Sequence, residues 1–289
     1  MLKHRFLQET QSSVLMLDVS GWETINSIAN AIYKGVFSPE IIETTIVSNR
    51  GELFSLPDDD EPVNPFDRWQ SGSIAIIPLS GIMLKESYWW GYGVDEVARI
   101  ISLAYESPNV SAVILKANTP GGSTDSLYLI QEVLSEKIKP TFGYIDGMCA
   151  SCGYVALSYT DKIYAINKMV NVGGIGVYAQ LLVPNKENSY YKVVEVYPDE
   201  SKDKNLEVRE AAKGNTKPLE EELSKLAIYI QNTVKANRPG ISEDTMTGKL
   251  YYGYEAEQLG MIDGVKKLSE VIAELETLTE TRKQFLSTL

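Results

Sequence analysis

The hydrophobic pattern changes character near Ser73. Beyond it, short apolar runs alternate with stretches whose apolar residues recur at helical spacing. Residues 74–79 form an apolar run of strand length, and Val94, Val97, Ile100, Ile101 and Ala104 then fall on one helical face. Residues 112–115 predict a second strand, Leu127, Ile130 and Leu134 a second helix, and residues 141–145 a third strand. A short helix over 150–158 and a fourth strand over 162–166 complete the run. Strands and helices alternating across short loops imply right-handed crossovers and a mostly parallel α/β sheet. Past Val196 the chain becomes charged. Pro218 opens a helix with Leu219, Leu223, Leu226, Ile230 and Val234 in one stripe, closed by Arg238-Pro-Gly240. This C-terminal helical segment is expected to serve packing or a subunit contact.

Before Ser71 the pattern is weak. A helical stretch over 22–33 is followed by the acidic, proline-punctuated Leu56-Pro-Asp-Asp-Asp-Glu-Pro-Val-Asn-Pro65, which reads as a linker spanning 56–67. Residues 1–70 are therefore expected to be an N-terminal extension, an assembly arm or a propeptide, and residues 71–289 a single domain. Gln8, Glu9, Gln11 and Asp18 interrupt any signal-like apolar region, and no apolar run approaches the roughly 20 residues that span a bilayer. The expectation is a soluble chain without a membrane anchor, located in the cytoplasm.

Charge and composition narrow the chemistry. Among 289 residues, 27 Lys and Arg face 39 Asp and Glu, a formal charge of −12. Such a chain lacks the basic footprint that nucleic acid or an anionic membrane would require. The single histidine, His4, lies near the terminus, which disfavours a histidine base or a histidine-rich metal site. No cofactor or metal is expected.

Two segments follow the carboxyl ends of predicted strands, where open α/β sheets place their sites. In Asn118-Thr-Pro-Gly-Gly-Ser123, the paired glycines Gly121 and Gly122 allow backbone N–H groups to approach a ligand before a helix, as in an oxyanion hole; a plain Pro-Gly turn is the alternative. In Asp146-Gly-Met-Cys-Ala-Ser-Cys-Gly-Tyr154, small residues bring Ser151 to the first turn of a helix, as nucleophile or as simple N-cap. Cys149 and Cys152 flank it in a C-x-x-C spacing that also suggests a redox pair. Trp89, Trp90 and Tyr92 could line an apolar groove or pack in a core.

With these segments in place, residues 73 to about 270 resemble the signal peptide peptidase A family of serine proteases, within the ClpP/crotonase superfamily. The resemblance rests on the Pro-Gly-Gly turn, Met148-Cys-Ala-Ser-Cys-Gly-Tyr154, Thr160-Asp-Lys-Ile-Tyr-Ala165, Gly173-Gly-Ile-Gly-Val177, and Gly248-Lys-Leu-Tyr-Tyr-Gly-Tyr-Glu-Ala256 with Leu259-Gly-Met-Ile-Asp263. Cys152 departs from the pattern, standing where the family usually has glycine. The resemblance implies a superhelix of repeated ββα and βα units with a mostly parallel sheet. It implies a serine endopeptidase in which Ser151 attacks, a lysine replaces histidine as base, and Gly121 and Gly122 hold the oxyanion. The matching region, residues 196–206, offers Lys202 and Lys204; aligning Ser201 with the family's glycine three residues before its lysine selects Lys204, with Lys202 the alternative. The same resemblance implies a protein or peptide substrate and a homo-oligomer whose neighbours complete the site. Without the anchor of the membrane-bound members, a phage or prophage protease maturing capsid or scaffold protein in the prohead is expected. A crotonase-like acyl-CoA enzyme is the competing class, and the C-x-x-C redox protein a third reading.

Overall fold

The computed structural model describes residues 15–17, 19–34, 45–48, 53–55, 64–87, 93–179 and 197–287. Three long strands form its centre: β4 (Ser73–Met83), β5 (Val110–Ser123) and β6 (Thr141–Ala150). They pair in parallel, and β7 (Lys162–Ala165) and β10 (Gly264–Val265) continue the parallel array beyond β6. On the other flank β2 (Thr45–Ser48) pairs antiparallel with β4, and β3 (Leu53–Ser55) antiparallel with β2. The predicted N-terminal extension thus contributes strands to the same sheet.

A parallel sheet must be covered on both faces, and the alternation along β4 shows how. Ala75 and Ile77 face one core, shared with Ile100 and Ile101 of α2 (Val94–Glu106), Ile130 and Leu134 of α3 (Thr124–Ser135), Val155 of α4 (Cys152–Ser158) and Val234 of α6 (Lys217–Asn237). Ile74 and Ile76 face the opposite core, closed by Val271 and Leu275 of α7 (Leu268–Ser287). Each fully buried isoleucine here stabilises the fold by about 2 kcal/mol. The predicted stripe on α6 is half realised: Ile230 and Val234 are buried, whereas Leu219, Leu223 and Leu226 remain partly exposed.

The strands run further than their apolar runs foretold, and this creates the site. After Ser80, and again after Ala117, the register shifts. Beyond those irregularities β4, β5 and β6 continue as a second set of pairings, Ile82 and Met83 with Gly121 and Gly122, and Thr119 with Cys149. There β6 takes β8 (Asn171–Gly173) as a parallel partner, and β8 takes β9 (Leu250–Tyr252) antiparallel. A short strand, β1 (Leu15–Leu17), lies antiparallel on the end of β5, followed by α1 (Val19–Tyr33), whose Ile25 is buried. No described helix is long and apolar enough to cross a membrane.

Candidate active site

Ser151 sits between the end of β6 and the start of α4, at φ 55° and ψ −122°. A side chain in that region costs about 1–3 kcal/mol, so the surroundings must impose it. They do so from both sides. The Ser151 N–H donates to the Gly173 carbonyl at 2.7 Å, and the Val155 N–H donates to the Ser151 carbonyl at 3.0 Å. Gly173 and Gly174 both have positive φ, and the Gly174 N–H donates to the Lys249 carbonyl at 2.9 Å. A Cβ on Gly173 would lie 2.8 Å from that same carbonyl. The Gly173-Gly-Ile-Gly-Val177 motif is therefore a backbone support for the serine turn. Ser151 is only 3% exposed, and among the described residues its hydroxyl makes no hydrogen bond.

The turn is aimed by an excess of residues in β6. Between the pairs Ala117–Ile145 and Thr119–Cys149, β5 has one residue and β6 has three. Asn118 fills this irregularity: its Oδ1 accepts from the Met148 N–H at 3.1 Å and stands 2.6 Å from where a Gly147 Cβ would be. Lys116 and Asp146 form an ion pair at 2.6 Å across the same place.

The Pro-Gly-Gly segment differs from the predicted turn. Residues 118–123 are the extended end of β5, because β4 continues beside them and supplies partners. Gly122 allows this approach: a Cβ there would fall 1.7 Å from the Met83 carbonyl oxygen. Ser123 ends the strand by capping α3, its Oγ accepting from the Ser126 N–H at 3.3 Å. Gly121 has φ 102°, and its N–H donates to Thr119 Oγ1 at 3.1 Å.

Thr119 is the residue that the sequence did not single out. Completely buried, it donates from Oγ1 to the Gly81 carbonyl at 2.6 Å while accepting from Gly121. Its Cγ2 lies 2.3 Å from where a Gly153 Cβ would stand. One side chain therefore ties β4, the glycine pair and the serine helix together. A β-branched hydroxyl residue ahead of Pro-Gly-Gly was the available signal, but its partner lies 38 residues earlier.

Cys152 is helical and needs no glycine, since the positive φ falls on Ser151. Its Sγ lies 3.6 Å from the Gly122 carbonyl oxygen and 3.5 Å from that of Ser123, joining the serine helix to the end of β5. Burial pushes the Cys152 thiol up to about 12, and burial raises Cys149 as well. Both are free thiols without exposed surface. Redox chemistry needs an accessible thiolate, so the C-x-x-C reading loses its physical basis.

The other family-like segments are scaffold. The Tyr154 hydroxyl donates to the Met261 carbonyl at 2.9 Å, and Asp263 Oδ2 accepts from the Ile163 N–H at 2.7 Å and from Arg238 at 2.9 Å. These bonds pin α4 and β7 to the closing motif.

Lys202 and Lys204 lie in an exposed turn after the 3₁₀ segment Asp199–Ser201. Arg209, on α5 (Leu206–Ala212), fixes that turn by donating to the Lys202 carbonyl at 2.5 Å while stacking over Tyr197 at 4.0 Å. Neither lysine side chain is hydrogen-bonded to Ser151 among the described residues. Trp89, Trp90, Tyr92, His4 and residues 56–63 of the expected linker lie outside the described residues; the rest of that linker, 64–67, is packed instead, with Pro65–Arg68 a 3₁₀ turn, Phe66 buried and the Asn64 side-chain amide donating to the Leu103 carbonyl at 2.8 Å. Those described include no cluster of three or more His, Cys, Asp or Glu suited to a metal ion.

Residues 134–282 match the family model of peptidase family S49. Protease 4 of Haemophilus influenzae is 27% identical over 243 residues, which is 80% of this chain and 38% of that protein. A putative protease of Methanocaldococcus jannaschii is 27% identical over 184 residues, 59% of this chain and 57% of its own. The chain thus spans less than two thirds of the length of these curated relatives. A solved structure of the 1510-N membrane-bound stomatin-specific protease, in a serine-to-alanine mutant, matches with a TM-score of 0.46 and 15% identity over 71% of this chain and 84% of that one.

Proposed function

The chain belongs to peptidase family S49, and from that premise we propose that it is a serine endopeptidase acting on protein substrates. The observation that carries the reading is Ser151: a nearly buried serine held at positive φ, its hydroxyl unengaged among the described residues, beside the glycine pair on β5. Ser151 Oγ is the nucleophile. With one histidine in the chain, at position 4, the base is a lysine, Lys204 with Lys202 as alternative. The neutral amine takes the Oγ proton, the oxygen attacks a peptide carbonyl, and backbone N–H groups of the glycine pair hold the oxyanion. Gly122 is the preferred donor, because the Gly121 N–H is already given to Thr119. The lysine ammonium then protonates the leaving amine. Water, deprotonated by the same lysine, releases the acyl group and restores Ser151.

A lysine serves as base only where desolvation or neighbouring positive charge favours its neutral amine. Lys202 and Lys204 are exposed in this single chain, so the proposal includes a homo-oligomer whose neighbouring subunits complete the site and take that turn out of water. In a phage or prophage setting the substrate would be capsid or scaffold protein, a part of the proposal checked by whether co-expressed capsid protein is cut at a defined bond.

The test is a gel and intact-mass time course with casein for the wild type, Ser151→Ala, Lys202→Ala and Lys204→Ala, with light scattering on each. Cleavage by the wild type, its loss in Ser151→Ala and in one lysine variant, and an assembly larger than a monomer are expected. Cleavage surviving in Ser151→Ala overturns the nucleophile. Full activity in both lysine variants overturns the dyad.

A further inference from the structure

Every extended strand has two hydrogen-bonding edges. At Gly121 and Gly122, β4 occupies one edge through Ile82 and Met83. The other edge belongs to β6 up to the pair Thr119–Cys149; β6, which carries β8 on its far edge at Met148–Ala150, then ends and turns at Ser151. The edge so vacated faces the nucleophile-bearing turn. It is filled by β1, antiparallel, with Leu17 opposite Gly121, Met16 opposite Gly122 and Leu15 opposite Ser123. The occupant is held in place from behind: α1 follows β1 directly, packs against β5, and buries Ile25.

We propose that Leu15–Leu17 is a self-docked strand that occupies in cis the edge on which a peptide must lie to present its carbonyl to Ser151, so that substrate enters by strand exchange. The proposal rests on the peptidase reading above. A peptide adding to a sheet edge gains main-chain hydrogen bonds irrespective of its side chains, and the chain's own strand competes for those same bonds. Tethering supplies it at an effective concentration on the order of millimolar. Its shortness keeps the exchange reversible, since three residues offer few bonds. If the strand is docked in nine molecules out of ten, a competing peptide binds about tenfold more weakly than to the open edge.

Fluorescein-labelled casein is the probe, and the wild type is compared with Met16→Pro, which removes the central N–H of β1, and with a chain lacking residues 1–18, which keeps α1. Ser151→Ala in each background is the control. Amide exchange across residues 119–124 reports docking independently of catalysis. Expected are faster exchange in that segment and a roughly tenfold rise in kcat/KM, carried by KM with kcat unchanged, in both variants. Unchanged or lower kcat/KM in a folded variant whose segment exchanges faster overturns the competition. Unchanged exchange overturns the docking. If no variant cleaves casein, or cleavage persists with Ser151→Ala, the peptidase reading falls and the competition with it, while the exchange data still decide whether β1 is docked.

Discussion

Replacing Thr119 with valine tests whether the hydroxyl at the crossing of β4, β5 and α4 organises the site. Valine keeps the branched shape, so the methyl over Gly153 is preserved, and only the Oγ1 bonds to Gly81 and Gly121 vanish. Gly81 is exposed, and water can satisfy its carbonyl. The Gly121 N–H is buried and loses its acceptor, which costs about 1–3 kcal/mol, with roughly 1 kcal/mol more for the second bond. A loss of about 2–4 kcal/mol corresponds to a fall in Tm of roughly 5–15 °C for a domain of this size. Thr119→Ser makes the complementary change. It keeps the hydroxyl and removes one methyl, at about 1 kcal/mol.

Thermal unfolding of the two variants against the wild type is the assay, with casein cleavage as the second readout. Valine should be the less stable and the less active of the two, because it frees the glycine pair. Thr119→Val as stable as the wild type would show that Gly121 finds another acceptor. Thr119→Ser losing more than Thr119→Val would show that the methyl, and not the hydroxyl, is what matters.

Three further outcomes follow from the same geometry. Ser151→Gly relieves a side chain held at φ 55°, so it should raise stability by about 1 kcal/mol while abolishing cleavage; a lower Tm by calorimetry would contradict the strain. The Cys152 thiol, at about 12, is a thiolate in about one molecule in ten thousand at pH 8, so iodoacetamide should modify neither cysteine by mass spectrometry until the protein is unfolded, and reductant should leave activity unchanged. Burial alone would raise the Glu274 carboxyl, but hydrogen bonds from Lys162, Lys266 and Tyr164 outweigh it and hold it at about 2. A depressed carboxyl stabilises the fold above its unfolded value near 4.5 and loses that contribution as pH falls toward 2. Glu274→Gln should therefore lower the free energy of unfolding at pH 7 by on the order of 1 kcal/mol after solvent screening, and the gap from the wild type should close between about pH 4.5 and pH 2; a gap independent of pH would refute the assignment.

The order of strands and helices was legible because apolar runs and helical spacing report burial, and burial is what β4 to β7 and α2 to α4 share. Where the strands end was not. Asn118-Thr-Pro-Gly-Gly-Ser123 has the composition of a turn, and Pro120 lacks the N–H of a ladder residue, yet β4 runs alongside and holds it extended. Likewise residues 146–150 extend β6 because β8, arriving twenty residues later, offers an edge. Neither partner is visible in a local window. The same holds for β1, three residues whose pairing reaches across a hundred positions to Gly121. Ser151, in contrast, was legible from its small neighbours, which are the residues a tight strand-to-helix turn demands.

What was read as two separate turns is one construction. The register breaks after Ser80 and Ala117 let three strands outrun the main sheet, and at their ends lie Ser151, the glycine pair and the edge that β1 fills. Each break is held by a polar side chain rather than by apolar packing: Asn118 at the β6 excess, Thr119 between Gly81 and Gly121. Such bonds fix position more sharply than contact between methyl groups does, because they fail with distance and angle. The strain at Ser151 can therefore be sustained. It is offset by bonds on both sides of the residue, and by the fully buried α4 behind it, which cannot shift to relax the turn without emptying a close-packed core.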